Sequence, residues 1–333
     1  MAEIVIGIAS SHTPQLSSGV DMWSDHADRD RRVGEQARLL GKDGEYHSYD
    51  EILALADPAM EQQLDQAVWD AKYRRAQDAI TTLAERLAKA EPDIAVVVGD
   101  DQRELFLDDG IPALACFAGD ELVDMPPDEE ARARQPKGIR AAGWAVHADH
   151  PERHPVNAAL SRHIAEQLAL ADYDITLFTQ QPAGRSLGHA FTFPRYRLGL
   201  PATTPIVPIF INTYYQPNVP SAARSYCVGQ VIRHAVTSWQ ADARVAVIAS
   251  GGLTHFVIDE DLDRRVLTGI TERDASLLTS LPRASLRSGN SEILNWVAAA
   301  GALEGLAATA VDYVPGYRSP AGTGTGMAFA YWD

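Results

Sequence analysis

His12, the run Asp100-Asp101-Gln102, His189, Asn212 and His255 each follow an apolar stretch or a glycine-bounded loop. In open α/β sheets the ligand crevice lies at the carboxyl ends of the strands. Residues that all follow strands can therefore meet at one sheet edge, however far apart they lie in sequence. Imidazoles and carboxylates brought together there suit two chemistries, metal coordination and proton transfer. Asp259-Glu260-Asp261, just past His255, adds carboxylates at a helix start. Acidic residues there also match the positive end of the helix dipole without any ligand.

The elements needed to position these groups are legible. Glu3 to Ser10 is β-branched and apolar, ends at small residues, and delivers His12 into a turn that Pro14 terminates. Ile94 to Gly99 is the cleanest buried strand. Ile111–Cys116, Ile175–Phe178, Ile206–Ile211 and Arg244–Ser250 read as further strands, and Met327–Trp332 as a closing one. Helical spacing runs through Leu64, Val68, Ala71, Ala76, Ile80, Leu83 and Leu87. Tyr49–Asp57, Asn157–Leu170, Ala222–Trp239, a segment from Asp259 and Ser291–Leu306 also read as helices. Strands alternating with helices give an α/β class. Gln15 to Asp50 is too long and polar for a simple connection and is expected as a covering loop or a locally disordered segment. Met125 to Arg153 is expected as a surface excursion, and Gly184 to Phe191 as a loop carrying His189.

Composition narrows the function. The chain has 333 residues, 46% of them hydrophobic, enough for one large core. Its formal charge of −16 disfavours nucleic acid and anionic membranes, and the arginines at 29, 31 and 32 are interleaved with Asp28 and Asp30. Cys116 and Cys227 have no metal-type spacing. No signal-peptide pattern or long apolar window is present, so a cytoplasmic protein is expected. No Gly-x-Gly-x-x-Gly opens a helix, which leaves nucleotide cofactors unsupported.

Ser10-Ser11-His12-Thr13-Pro14, Gly99-Asp100-Asp101-Gln102, Gly188-His189, Pro208 to Tyr215 and Ser250-Gly251-Gly252-Leu253-Thr254-His255 together resemble the class III extradiol ring-cleavage dioxygenases. The resemblance continues through Leu294-Asn295-Trp296 and Ala300-Gly301-Ala302-Leu303. It implies a single catalytic domain over residues 1–333 with a central mixed sheet flanked by helices, the segment 15–50 covering the site. It also implies a mononuclear Fe(II) held by two histidines and a carboxylate, a small aromatic diol and O₂ as co-substrates, and a homodimer. His12 matches the first histidine ligand, and His189 the acid and base beside the substrate. His255 falls where a substrate-oxygen partner is expected. Thr13, Asp101, Tyr214 and Tyr215 fall close to the substrate, with Asp101 also able to orient a ligand.

Two departures stand out. Gln102 occupies the place where the resemblance calls for the second histidine. An amide oxygen is a poorer donor than imidazole, so Gln102 and His47 of the long segment are the alternatives for that position. The carboxylate is assigned to the helix after His255, with Glu260 favoured for its reach and Asp261 left open. The expected activity is iron-dependent extradiol cleavage of a catechol- or gallate-like ring. A metal-dependent hydrolase and a non-catalytic binding relative are the alternatives.

Overall fold

A computed structural model describes residues 1–333. Its centre is an eight-stranded mixed sheet. In chain order the strands are β1 (Glu3–Ser10), β2 (Ile94–Gly99), β3 (Leu114–Phe117), β4 (Thr176–Phe178), β5 (Ile206–Ile211), β6 (Arg244–Ser250), β7 (Ala308–Tyr317) and β8 (Gly324–Trp332). Their order across the sheet is β7-β8-β1-β6-β2-β5-β3-β4. The middle four, β1, β6, β2 and β5, are mutually parallel, and β8 and β3 flank them antiparallel.

Alternation along these strands builds two cores, because successive side chains point to opposite faces. Val96, Val98, Val245, Val247 and Ala249 face one layer, while Ala95, Val97, Ala246 and Ile248 face the other. On the first face pack the helices Ala158–Leu170, Ala222–Ser238, Glu260–Thr271 and Ile293–Ala302. On the second pack Gln66–Ala90 and His189–Leu198. Burial on both faces explains why the middle strands read as unbroken apolar runs.

Register sets the site. Ser10 pairs with Ser250, Val98 with Ala249 and Gly99 with Phe210. Four parallel strands therefore end level, and the segments starting at Ser11, Gly251, Asp100 and Asn212 leave from one edge.

Several expectations need correction. The segment after β1 is helical, with short turns at Pro14–Ser17 and Val20–Met22 and a helix at Trp23–Gln36. Its buried face is Trp23, His26, Asp30 and Gly34, so a helical period exists but is written mostly in polar and small residues. Residues 125–153 carry the short helices Glu129–Arg134 and Lys137–Ala142 and help wall the main cavity. His189 opens a helix. β7 carries no apolar run at its start, and only β8 gives it a partner. No helix is long and apolar enough to cross a membrane.

Candidate functional site

The first turn after β1 places His12 at the sheet edge with 5% exposure. Its Nδ1 lies 2.9 Å from Ser250 Oγ, at the end of the neighbouring strand. Nε2 therefore points into the site, where Glu292 Oε2 stands 3.3 Å away. Asp100 follows β2 and is fully buried; its Oδ1 accepts a 3.0 Å hydrogen bond from Asn295 Nδ2. One ligand atom each from His12, Asp100 and Glu292 lies within 4.8 Å of the others.

Glu292 is the hub of the site. It ends the 3₁₀ turn Ser288–Glu292 that feeds the helix Ile293–Ala302. Gly252 N–H donates to its Oε2 at 2.6 Å, and the Tyr214 hydroxyl donates to its Oε1 at 3.1 Å. His255 Nε2 lies 3.3 Å from the same Oε1 and 3.3 Å from the Tyr214 hydroxyl. Leu253 C=O sits 2.9 Å from His255 Nδ1 and aims the ring.

The electrostatics follow from two buried carboxylates in one pocket. Burial pushes Asp100 up to about 6, and the neighbouring Glu292 charge adds to that rise. Burial also opposes charge on Glu292, yet the His255 and His12 imidazoles hold it well below the usual carboxylate range. Glu292 thus ionises before Asp100, and a divalent cation would favour the charged form of both. An imidazole and two carboxylates suit a divalent transition metal, so the donor set fits such an ion.

Beside this group, His189 Nδ1 makes a short contact with Glu104 Oε1, and the same oxygen accepts the His189 backbone N–H at 3.1 Å. Burial alone would lower the His189 imidazole, but the Glu104 carboxylate outweighs it and raises it to about 10. Glu104 in turn is drawn down to about 2, against its own burial. The His189 ring centroid stands 4.6 Å from that of His12.

A cavity of about 640 Å³ opens over these groups, a volume typical of small-molecule sites. His12, Thr13, Gln102, His189, Tyr214, His255 and Glu292 face it, while its outer wall includes Ile139, Trp144 and Val146.

The remaining expected residues lie as follows. Gln102 turns its amide nitrogen toward Glu292 Oε1 at 3.0 Å and Asp100 Oδ2 at 3.3 Å. A donor NH₂ faces the two carboxylates, not a lone pair available to a cation. His47 pairs with Asp43 at 2.9 Å on a short hairpin, away from the cavity wall. Glu260 accepts from the Tyr317 hydroxyl at 2.8 Å and pairs with Arg264 at 2.6 Å; Asp261 is exposed. Neither lines the cavity, because the helix Glu260–Thr271 starts beside β7 and not at the site. Asp101 is occupied by the backbone N–H groups of Arg103, Leu105 and Phe106 and shapes the turn after β2. Thr13 Oγ1 lies 3.2 Å from Thr325 Oγ1. Tyr215 lies under the Arg103 guanidinium, 5.2 Å from its ring centroid, and does not face the cavity. Asn212 bonds Tyr215 through both side-chain ends and so holds the turn that presents Tyr214.

Sequence reasoning missed Glu292 and Glu104 and did not assign Asp100 a role. The available signal for Glu292 was its position two residues before Leu294-Asn295-Trp296, a segment already singled out.

The family model of the catalytic LigB subunit of aromatic ring-opening dioxygenase matches residues 51–327. A gallate dioxygenase from Pseudomonas putida is 37% identical over 108 residues, covering 31% of this chain and 30% of that protein. The matched stretch thus spans less than a third of the relative's length.

Proposed function

The chain belongs to the family of the catalytic LigB subunit of aromatic ring-opening dioxygenase, and on that premise we propose that it cleaves an aromatic diol in the extradiol manner, with incorporation of O₂. The observation that carries this is the buried group His12, Asp100 and Glu292, level with the ends of parallel strands and under a cavity of about 640 Å³.

In this proposal His12, Asp100 and Glu292 hold Fe(II). When bound, the metal supplies a Lewis acid for the diol and a one-electron path between diol and dioxygen. The chain's own residues do the rest. His255 Nε2, held by Leu253 and facing Tyr214 and Glu292, is placed to hydrogen-bond a diol oxygen inside the cavity, its protonated form favoured by the Glu292 carboxylate. His189, kept protonated by Glu104, presents a cation beside His12 and a proton that can be given to oxygen as the ring opens.

The test is anaerobic loading with Fe(II), followed by oxygen uptake across a panel of catechols, gallates and aminophenols. Stoichiometric oxygen consumption with a ring-opened product is the expected result. Turnover with Zn(II) and no oxygen uptake would favour a hydrolase. Diol binding without turnover under either metal would favour the non-catalytic reading, for which Gln102 in place of a histidine is the motivating feature.

A further inference from the structure

Arg29 lies on the helix Trp23–Gln36, which precedes the family match at residues 51–327, and its side chain lines the cavity. It makes no ion pair and no side-chain hydrogen bond, although it is half-buried. The guanidinium packs 5.8 Å from the Phe256 ring centroid, and Phe256 is the residue after His255. Its neighbour in sequence, Asp30, is spent on Arg318, with contacts of 2.6 and 2.8 Å. Two more guanidiniums, Arg132 and Arg140, sit exposed on the same cavity wall, also without ion pairs; Asp149 is the exposed carboxylate among them. In a chain of net charge −16 this concentration of unpaired cations on one wall is selective.

An inward guanidinium fixed against an aromatic face offers a fork of N–H donors suited to a carboxylate. We propose that Arg29 is a specificity-determining residue that binds the carboxylate of an anionic aromatic substrate, with Arg132 and Arg140 drawing the anion to the mouth. The inference deepens the ring-cleavage assignment and rests on it for the identity of the ring, but not for the charge of the substituent.

The experiment compares 3,4-dihydroxybenzoate with its neutral amide by anaerobic calorimetry on the metal-loaded protein. Wild type should prefer the acid. Arg29→Met should weaken the acid by roughly tenfold or more, the scale of one lost charge-assisted contact, and leave the amide within about twofold. Arg29→Lys, which keeps the charge without the fork, should restore part of the acid's affinity, and retained metal content shows that each variant is folded. Equal weakening of acid and amide, or unchanged acid binding, overturns the inference. An Arg29-dependent preference for the acid in a protein that consumes no oxygen with any diol supports the anion site while removing the ring-cleavage assignment.

Discussion

Nδ1 of His12 meets the Ser250 hydroxyl at 2.9 Å, and the opposite nitrogen, Nε2, stands 3.3 Å from Glu292 Oε2. Two parallel strands and a distant 3₁₀ turn thereby fix one imidazole from both sides. The ring is held by protein contacts alone, the kind of outer support that would orient a metal ligand.

Glu292 is accordingly the most exposed to test of the three donors. Glu292→Gln, His12→Ala and Asp100→Asn should each reduce metal retention by more than the roughly 10–100-fold that follows loss of an outer partner. Glu260→Gln and Asp261→Asn should leave retention unchanged. Metal stoichiometry after gel filtration checks this, and full occupancy in Glu292→Gln would remove it from the site.

Gln102 and His47 separate by the same measurement. His47→Ala should keep its metal, since that ring is engaged by Asp43 outside the cavity. Gln102→His should tighten retention by roughly tenfold, about 1.4 kcal/mol, by setting an imidazole beside Asp100 and Glu292. Weaker retention in Gln102→His would show that the amide's contacts to the two carboxylates matter more than an added donor.

His154 should make the fold acid-sensitive. It is 1% exposed, neither ring nitrogen has a partner, and burial, aided by Arg195, lowers it from 6.5 to about 4. The unfolded chain takes up this proton first, so stability is full above about pH 6.5 and falls as pH drops toward 4, with a limiting slope of about 1.4 kcal/mol per pH unit. His154→Phe should flatten that part of the profile in urea titrations at pH 7.5 and 5. An unchanged pH dependence would exclude His154 as its source.

The Asp30–Arg318 pair should be costly to break. Both groups are buried, and Gln15 adds a third contact to the guanidinium at 2.9 Å. Asp30→Ala leaves an uncompensated buried cation and should destabilise by about 3–5 kcal/mol. Because Asp30 neighbours Arg29, the freed Arg318 should also alter carboxylate binding, whereas a surface variant such as Arg31→Ala should do neither. Thermal melts and the calorimetry above provide both readouts.

The sequence alone determined the α/β class, the central strands and the convergence of His12, His189 and His255, because buried parallel strands are written as continuous apolar runs whose ends are visible. It also carried the family resemblance, since those motifs are local. The third member of the buried His12, Asp100 and Glu292 group was decided only by the tertiary structure. Glu292 lies 280 positions from His12, outside any strand end, and reaches the site because the turn Ser288–Glu292 is folded back onto Gly252. Glu260 was plausible by proximity to His255, but proximity along the chain does not set direction: its helix faces Tyr317. The helix Trp23–Gln36 was likewise hidden, because its buried face carries His26 and Asp30, whose burial makes sense only once the turn before the helix brings Ser18 to His26 and Arg318 arrives from far along the chain. Apolar periodicity reports burial against a core; burial against a specific polar partner leaves no apolar period to read.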